Sequence, residues 1–188
     1  MILSNDIRPG TTIEYRDAVW QVVEAMHVKP GKGAAFVQSK LRNVESGDVL
    51  AVTFRAGERL SAANLEKIIA IYLYRDGSRL ILVDSGGTES IELEAKDFGR
   101  NIDLLIAGQG DILVLKHRER IIRVDLPITV DIGVKETPPG ERGNTSSGGG
   151  KQATLETGAV IAVPFHVKVG DRIRVDTRTR EYLARVNA

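Results

Sequence analysis

Val19-Trp20-Gln21-Val22-Val23-Glu24-Ala25-Met26-His27-Val28, then Lys29-Pro30-Gly31-Lys32-Gly33, then Ala35-Phe36-Val37-Gln38-Ser39-Lys40-Leu41, is the stretch that decides how this chain folds. Two runs of strand character flank five residues of turn chemistry. Proline fixes its own φ, and glycine can take the positive φ that a reversal asks for, so the segment predicts a β-hairpin with Gly31 and Gly33 supplying that freedom. Lys32 stands at the predicted tip. A lysine is an ammonium at neutral pH, suited to phosphate or carbonyl oxygens and unsuited to act as a base. Trp20 and Phe36 lie in strongly apolar strands, which predicts that both fill the core.

Outward from the hairpin, short apolar or alternating runs recur between turn residues, without convincing helical periodicity, which predicts an all-β fold. Predicted strands include Thr11-Arg16, Val49-Arg55, Leu65-Arg75, Arg79-Asp84, Glu89-Glu94, Asp111-Lys116, Arg120-Asp125, Ile128-Val134, Ala159-Val163 and Arg172-Asp176. Asn43 to Asp48, Asp76-Gly77-Ser78 and Ser85-Gly86-Gly87 supply reversals, and Glu94 to Asp103 is predicted to hold a short helix or turn. So many strands in 188 residues favour small closed barrels, which remove exposed sheet edges. Breaks near Asn64 and Pro127 divide the chain into residues 1–64, 65–127 and 128–188, of which the middle piece is the acidic one.

Composition narrows the chemistry. An apolar content of 42% with 27% charged residues is ordinary for a soluble folded protein, and a net charge of +1 demands no polyanionic partner, although local basic patches remain open. With no cysteine there is neither a disulfide framework nor a thiolate zinc site, and His27, His117 and His166 are scattered, so no metal is expected. The absence of Gly-x-Ser-x-Gly, of a cysteine nucleophile and of a singled-out carboxylate pair lowers the expectation of an enzyme, so no catalytic residue and no cofactor are assigned. The first residues lack a long apolar core and the longest apolar run, Ile68 to Tyr74, is too short to span a bilayer, so a cytoplasmic protein without a membrane partner is expected.

Two further stretches invite function. Residues Pro138 to Lys151 read as a surface loop. They do not fit a phosphate-binding P-loop, since Gly149 follows Gly148 and Gln152 follows Lys151. Near the end, Arg172, Arg174, Arg178, Arg180 and Arg185 accompany the alternating Ile173 and Val175. Two readings of these arginines stay open on equal terms, a solvated barrel face and contact with an RNA backbone, and the same holds for Lys40, Arg42 and Arg55.

Val28 to Asn43 closely resembles the tip and following strand of the bacterial elongation factor P family. Thr53-Phe54-Arg55-Ala56-Gly57-Glu58 resembles a second segment of that family, and Ala153 to Gly158, Val163-Pro164-Phe165 and Gly170 to Thr179 a third. The resemblance runs over almost the whole chain, more weakly between Ser85 and Gly110, and most of the family is more acidic.

The resemblance implies an SH3-like, KOW-type barrel followed by two OB-folds in an elongated L. The third barrel, 128–188, is absent from the hypusine-bearing factors of eukaryotes and archaea and favours the bacterial branch. It further implies a monomeric, non-enzymatic factor that binds the ribosome and its RNA between the peptidyl and exit sites. There it would sit beside peptidyl-tRNA and relieve stalls at consecutive prolines. Lys32 would be the tip residue, commonly lengthened in the family by a lysine-modifying enzyme with β-lysine or an aminopentanol, and Lys29, Pro30, Gly31 and Gly33 would shape its loop. Gly143-Asn144-Thr145 matches an exit-site loop that reaches messenger and transfer RNA, with asparagine where the family carries aspartate, which removes a charge and adds an amide donor. Arg178 and Arg180 join Lys40, Arg42 and Arg55 as candidate RNA contacts. Two alternatives stay open: an OB-fold RNA-binding module that associates with ribosomes, and a paralogue with altered substrate preference.

Overall fold

A computed structural model describes residues 1–139 and 150–186. Among the described residues there are sixteen strands in three sheets and no α-helix. The first sheet contains β1 (Ile2–Leu3), β2 (Thr12–Tyr15), β3 (Ala18–Val28), β4 (Phe36–Asn43), β5 (Val49–Arg55) and β6 (Arg59–Ala62), in the order β1-β6-β2-β3-β4-β5. The second contains β7 (Glu66–Asp76), β8 (Arg79–Asp84), β9 (Ser90–Glu94), β10 (Ile112–His117) and β11 (Arg120–Asp125), in the order β11-β10-β7-β8-β9. The third contains β12 (Thr129–Glu136), β13 (Gly150–Leu155), β14 (Val160–Pro164), β15 (Arg172–Asp176) and β16 (Glu181–Val186), in the order β14-β13-β12-β15-β16. By compactness the chain forms two units, Met1–Lys67 with Val114–Arg123, and Ile68–Leu113 with Val124–Ala188.

In the first unit the core is Ile7, Ile13, Val22, Val37, Leu41, Phe54 and Leu60, with Trp20 packed against it and Tyr15 edge-on to Phe54 at 5.8 Å between ring centroids. Trp20 is half-buried and its Nε1–H donates to the Tyr15 carbonyl at 2.9 Å, which satisfies the one polar atom of the indole. Phe36 departs from expectation. Successive side chains of a strand point to opposite faces, so Val37 and Leu41 commit one face of β4 to the core and leave Phe36 with the exposed Gln38, Lys40 and Arg42. Phe54 takes the core position instead, 2% exposed. The turn after β10 joins this unit through Glu14, whose carboxylate accepts from His117 Nε2 at 2.8 Å and from the Arg118 guanidinium at 2.7 Å.

The second unit contains the third sheet, where β12 and β15 alternate buried and accessible residues over a core of Val130, Ile132, Val134, Leu155, Ile161, Ile173 and Val175. A Cβ on Gly133 would lie 2.9 Å from a Glu156 carboxylate oxygen, so a side chain there requires the Glu156 side chain to move. The predicted helix or turn after β9 is a 3-10 segment, Ala95–Leu104, and its fully buried Leu104 completes the same core. Four strands have no counterpart in the sequence reading: β1, β6, β13 and β16. Their apolar signal is thin, since β6 buries a single residue and β16 none.

Ion pairs stitch the surface of this unit. Arg174 grips Asp131 with two bonds of 2.7 and 2.8 Å, Arg178 reaches Asp176 at 2.8 Å, and Arg180 makes two bonds of 2.7 Å to Asp103. The guanidinium of Arg174 holds the Asp131 carboxyl below its ordinary range. For Asp176 the Arg178 guanidinium comes first and the Arg178 backbone N–H second, and its carboxyl is held far below that range.

Leu104→Ala is expected to cost about 2–5 kcal/mol of stability, read from urea unfolding, because it empties a site in the core shared with β12 and β15. Asp131 and Asp176 bind protons more weakly folded than unfolded. Their contribution is therefore complete above the ordinary aspartate range, about 3.9, and is lost as pH falls through the lower folded-state values. Melting temperature should decline on acidification below about pH 4, and Asp131→Asn should lessen the slope of that decline.

Candidate functional site

The last residue of β3, Val28, pairs with the first of β4, Phe36, so residues 29–35 form the loop that closes the longest hairpin of the first sheet. The ladder fixes both ends of that loop, since β4 is also paired with β5 from Phe36↔Arg55 to Arg42↔Val49. Lys29, Gly31, Lys32 and Gly33 are exposed and Pro30 is half-buried. Gly33 has φ of +112°, a conformation in which a side chain is strained, whereas Gly31 does not lie in the left-handed region. The positive φ expected of both glycines is therefore needed at one. A Cβ on Gly31 would meet nothing within 4 Å, so that glycine leaves open space beside Lys32.

Behind the tip, the outer face of β4 presents Lys40 and Arg42, both exposed. Lys40 Nζ lies 2.9 Å from Glu24 Oε2, with both side chains more than half exposed, so the pair is weak and the ammonium remains available to a stronger anion. Arg55, exposed at the end of β5, has an anchored backbone: its N–H donates to Glu58 Oε2 at 2.9 Å and its carbonyl accepts from Ser4 Oγ at 2.6 Å.

At the root of the hairpin a cleft of about 370 Å³ is lined by Asn5, Arg8, His27, Val28, Lys29, Ala35, Phe36 and Ala56. Arg8 Nη1 donates to the Ile7 carbonyl at 2.8 Å and the Asn5 carbonyl at 3.0 Å, and lies 3.3 Å from His27 Nε2. Neither Arg8 nor His27 was singled out by the sequence reading. The signal available was the parity of Phe36 relative to Val37 and Leu41, which places an aromatic ring on the polar face.

The carboxy-terminal arginines are engaged within the chain. Arg178 and Arg180 hold Asp176 and Asp103, Arg174 holds Asp131, Arg172 donates to the Asp131 carbonyl at 3.0 Å, and Arg185 lies 3.8 Å from Asp171. Gly143, Asn144 and Thr145 lie outside the described residues. Among the described residues no group of three His, Cys, Asp or Glu side chains is placed to hold a metal ion, and no helix is long and apolar enough to cross a membrane.

Comparison with known proteins bears on the whole chain. The family model described as elongation factor P (EF-P) KOW-like domain matches residues 3–60, and the one described as elongation factor P, C-terminal, matches residues 130–185. Elongation factor P of Synechococcus sp. strain JA-3-3Ab is 48% identical over 185 residues, covering 98% of this chain and 100% of its own. That of Synechococcus sp. strain WH7803 is 47% identical over 188 residues, covering all of both chains. Among solved structures, a translation initiation factor eif-5a family protein from Naegleria fowleri superposes with a TM-score of 0.54 at 13% identity, over 66% of this chain and 96% of its own. At that identity the likeness is one of fold alone.

Proposed function

The chain belongs to the elongation factor P family of translation elongation factors, and from that premise we propose that it promotes peptide-bond formation on ribosomes stalled at consecutive prolines. It enters between the peptidyl and exit sites and extends Lys32 toward the acceptor end of peptidyl-tRNA. The observation that carries this reading is the exposed lysine on a loop with open space around it, fixed to a ladder of three long strands.

Proline is a cyclic secondary amine with a locked φ, so a prolyl chain reaches the geometry of attack poorly. A cation on a flexible arm, delivered from a stiff scaffold, steadies the acceptor end by bonding to its phosphate and carbonyl oxygens and removes orientational freedom from the reactants. Each ~1.4 kcal/mol taken from the barrier gives about tenfold in rate. The protein makes no covalent bond to the substrate, so the ribosomal RNA remains the catalyst and this chain acts in the cytoplasm as a non-enzymatic, monomeric factor. A lysine-modifying enzyme that lengthens Lys32 would extend the reach of the same arm.

The three sheets correspond in this reading to three barrel domains, 1–64, 65–127 and 128–188. Lys40, Arg42 and Arg55 supply backbone contacts to RNA beside the tip. Arg178 and Arg180 take the same role to the extent that a phosphate competes with Asp176 and Asp103, the partners that hold them in the free protein. Gly143-Asn144-Thr145 approaches messenger and transfer RNA at the exit site, with the Asn144 amide donating where an aspartate would repel phosphate.

Lys32→Ala is expected to leave the melting temperature unchanged while abolishing relief of polyproline stalling in a reconstituted translation system. Full relief by that variant would remove the mechanism. Lys32→Arg keeps the charge and blocks lysine modification, so partial relief by it measures how much of the effect belongs to the cation alone.

A further inference from the structure

The cleft at the root of the tip hairpin has three properties that the Lys32 mechanism does not use. First, it is basic: Arg8, His27 and Lys29 line it, and among the described residues no carboxylate does. Second, its main cation is already in place. Two backbone carbonyls take Arg8 Nη1, with His27 Nε2 beside it at 3.3 Å, so the guanidinium is oriented before any ligand arrives, and these bonds leave its Nε and Nη2 donors unused. Third, the cleft holds an aromatic ring that strand parity has excluded from the core: Phe36 is half-buried and is the cross-strand neighbour of the exposed Arg55.

Cations without a neighbouring carboxylate select an anion, and a fork-shaped guanidinium favours phosphate oxygens. Phosphate alone leaves the ring unexplained. A base laid on a phenyl face gains the sequence-tolerant stacking found in single-strand binders, and about 370 Å³ falls within the range of small-ligand clefts. We propose that this cleft is a binding site for one unpaired nucleotide, with its phosphate on Arg8 and Lys29 and its base on Phe36. The site deepens the translation-factor reading and rests on it only for which RNA is bound. A second point of attachment at the hairpin root would set the direction of the arm as well as its reach.

The test uses the full-length protein without ribosomes, titrated in amide-shift experiments with adenosine 5′-monophosphate, ribose 5-phosphate and a hexaglutamate peptide. The nucleotide is expected to shift the amides of Arg8, His27, Val28, Lys29 and Phe36 saturably, and ribose 5-phosphate to bind there about tenfold more weakly for want of a base. Phe36→Leu, which keeps an apolar side chain and removes the ring, should reduce the nucleotide to the affinity of ribose 5-phosphate. Arg8→Gln should weaken both phosphates, and if that variant unfolds, Lys29→Gln provides the same measurement without the bonds to Ile7 and Asn5. Equal binding of the two phosphates to the unaltered protein, or nucleotide binding unmoved by Phe36→Leu, would overturn the proposal. So would a hexaglutamate peptide that binds the cleft as tightly, which would indicate an acidic protein partner. Lys32→Ala should bind the nucleotide normally, so a chain that relieves stalling but fails this titration loses the cleft and keeps the tip.

Discussion

The ladder of β3, β4 and β5 is the constraint on which the rest of this molecule turns. Backbone pairing from Phe36↔Arg55 to Arg42↔Val49 and from Val28↔Phe36 to Trp20↔Asn43 makes β4 a central strand, and its pleat then sends alternate side chains to opposite sides. Val37 and Leu41 are drawn into the core and are almost wholly inaccessible. Everything of the other parity is placed outside by the same geometry, and that is where Phe36, Lys40 and Arg42 stand. A shift of one residue in register would bury the basic residues and expose the core, so the hydrophobic face and the basic face are specified together.

That coupling also bears on the loop at the end of the hairpin. Residues 29–35 make few packing contacts of their own, yet they emerge from strands whose bonds continue for the whole length of β4. The scaffold fixes where the loop starts and ends, the left-handed Gly33 closes it, and the remaining freedom belongs to the Lys32 side chain. Function placed on a loop and positioned by a rigid sheet is a general solution, because the loop can expose polar groups that the sheet must bury. The third sheet follows another logic. Its surface arginines are matched to aspartates, so much of its positive charge is neutralised locally.

How much of this was legible in the residues depended on the strength of local signals. The strands Val49–Arg55, Arg79–Asp84, Arg120–Asp125 and Arg172–Asp176 were read to the residue, because β-branched and apolar residues alternate there between clear turn signals. The tip of the first hairpin was legible for the same reason. The strands β1, β6, β13 and β16 were not, since they bury little and owe their existence to a partner that supplies hydrogen bonds. The core assignment of Phe36 failed because apolar character was weighed without its phase along the strand.

The chain alone determined the all-β class, the reversal at Lys29 to Gly33 and the isolation of Lys32 at its tip, because proline, glycine and strand periodicity act within a few residues of one another. Only the tertiary structure decided what lies beside the root of that hairpin and, separately, which groups meet in the second unit. Arg8 reaches His27 through a hydrogen bond between elements distant in sequence, Leu104 fills a core belonging to strands that follow it, and Asp103 meets Arg180 at 2.7 Å. Such pairings depend on how the strands are ordered in each sheet, and strand order is set by the summed burial of a whole core, which no local run of residues encodes.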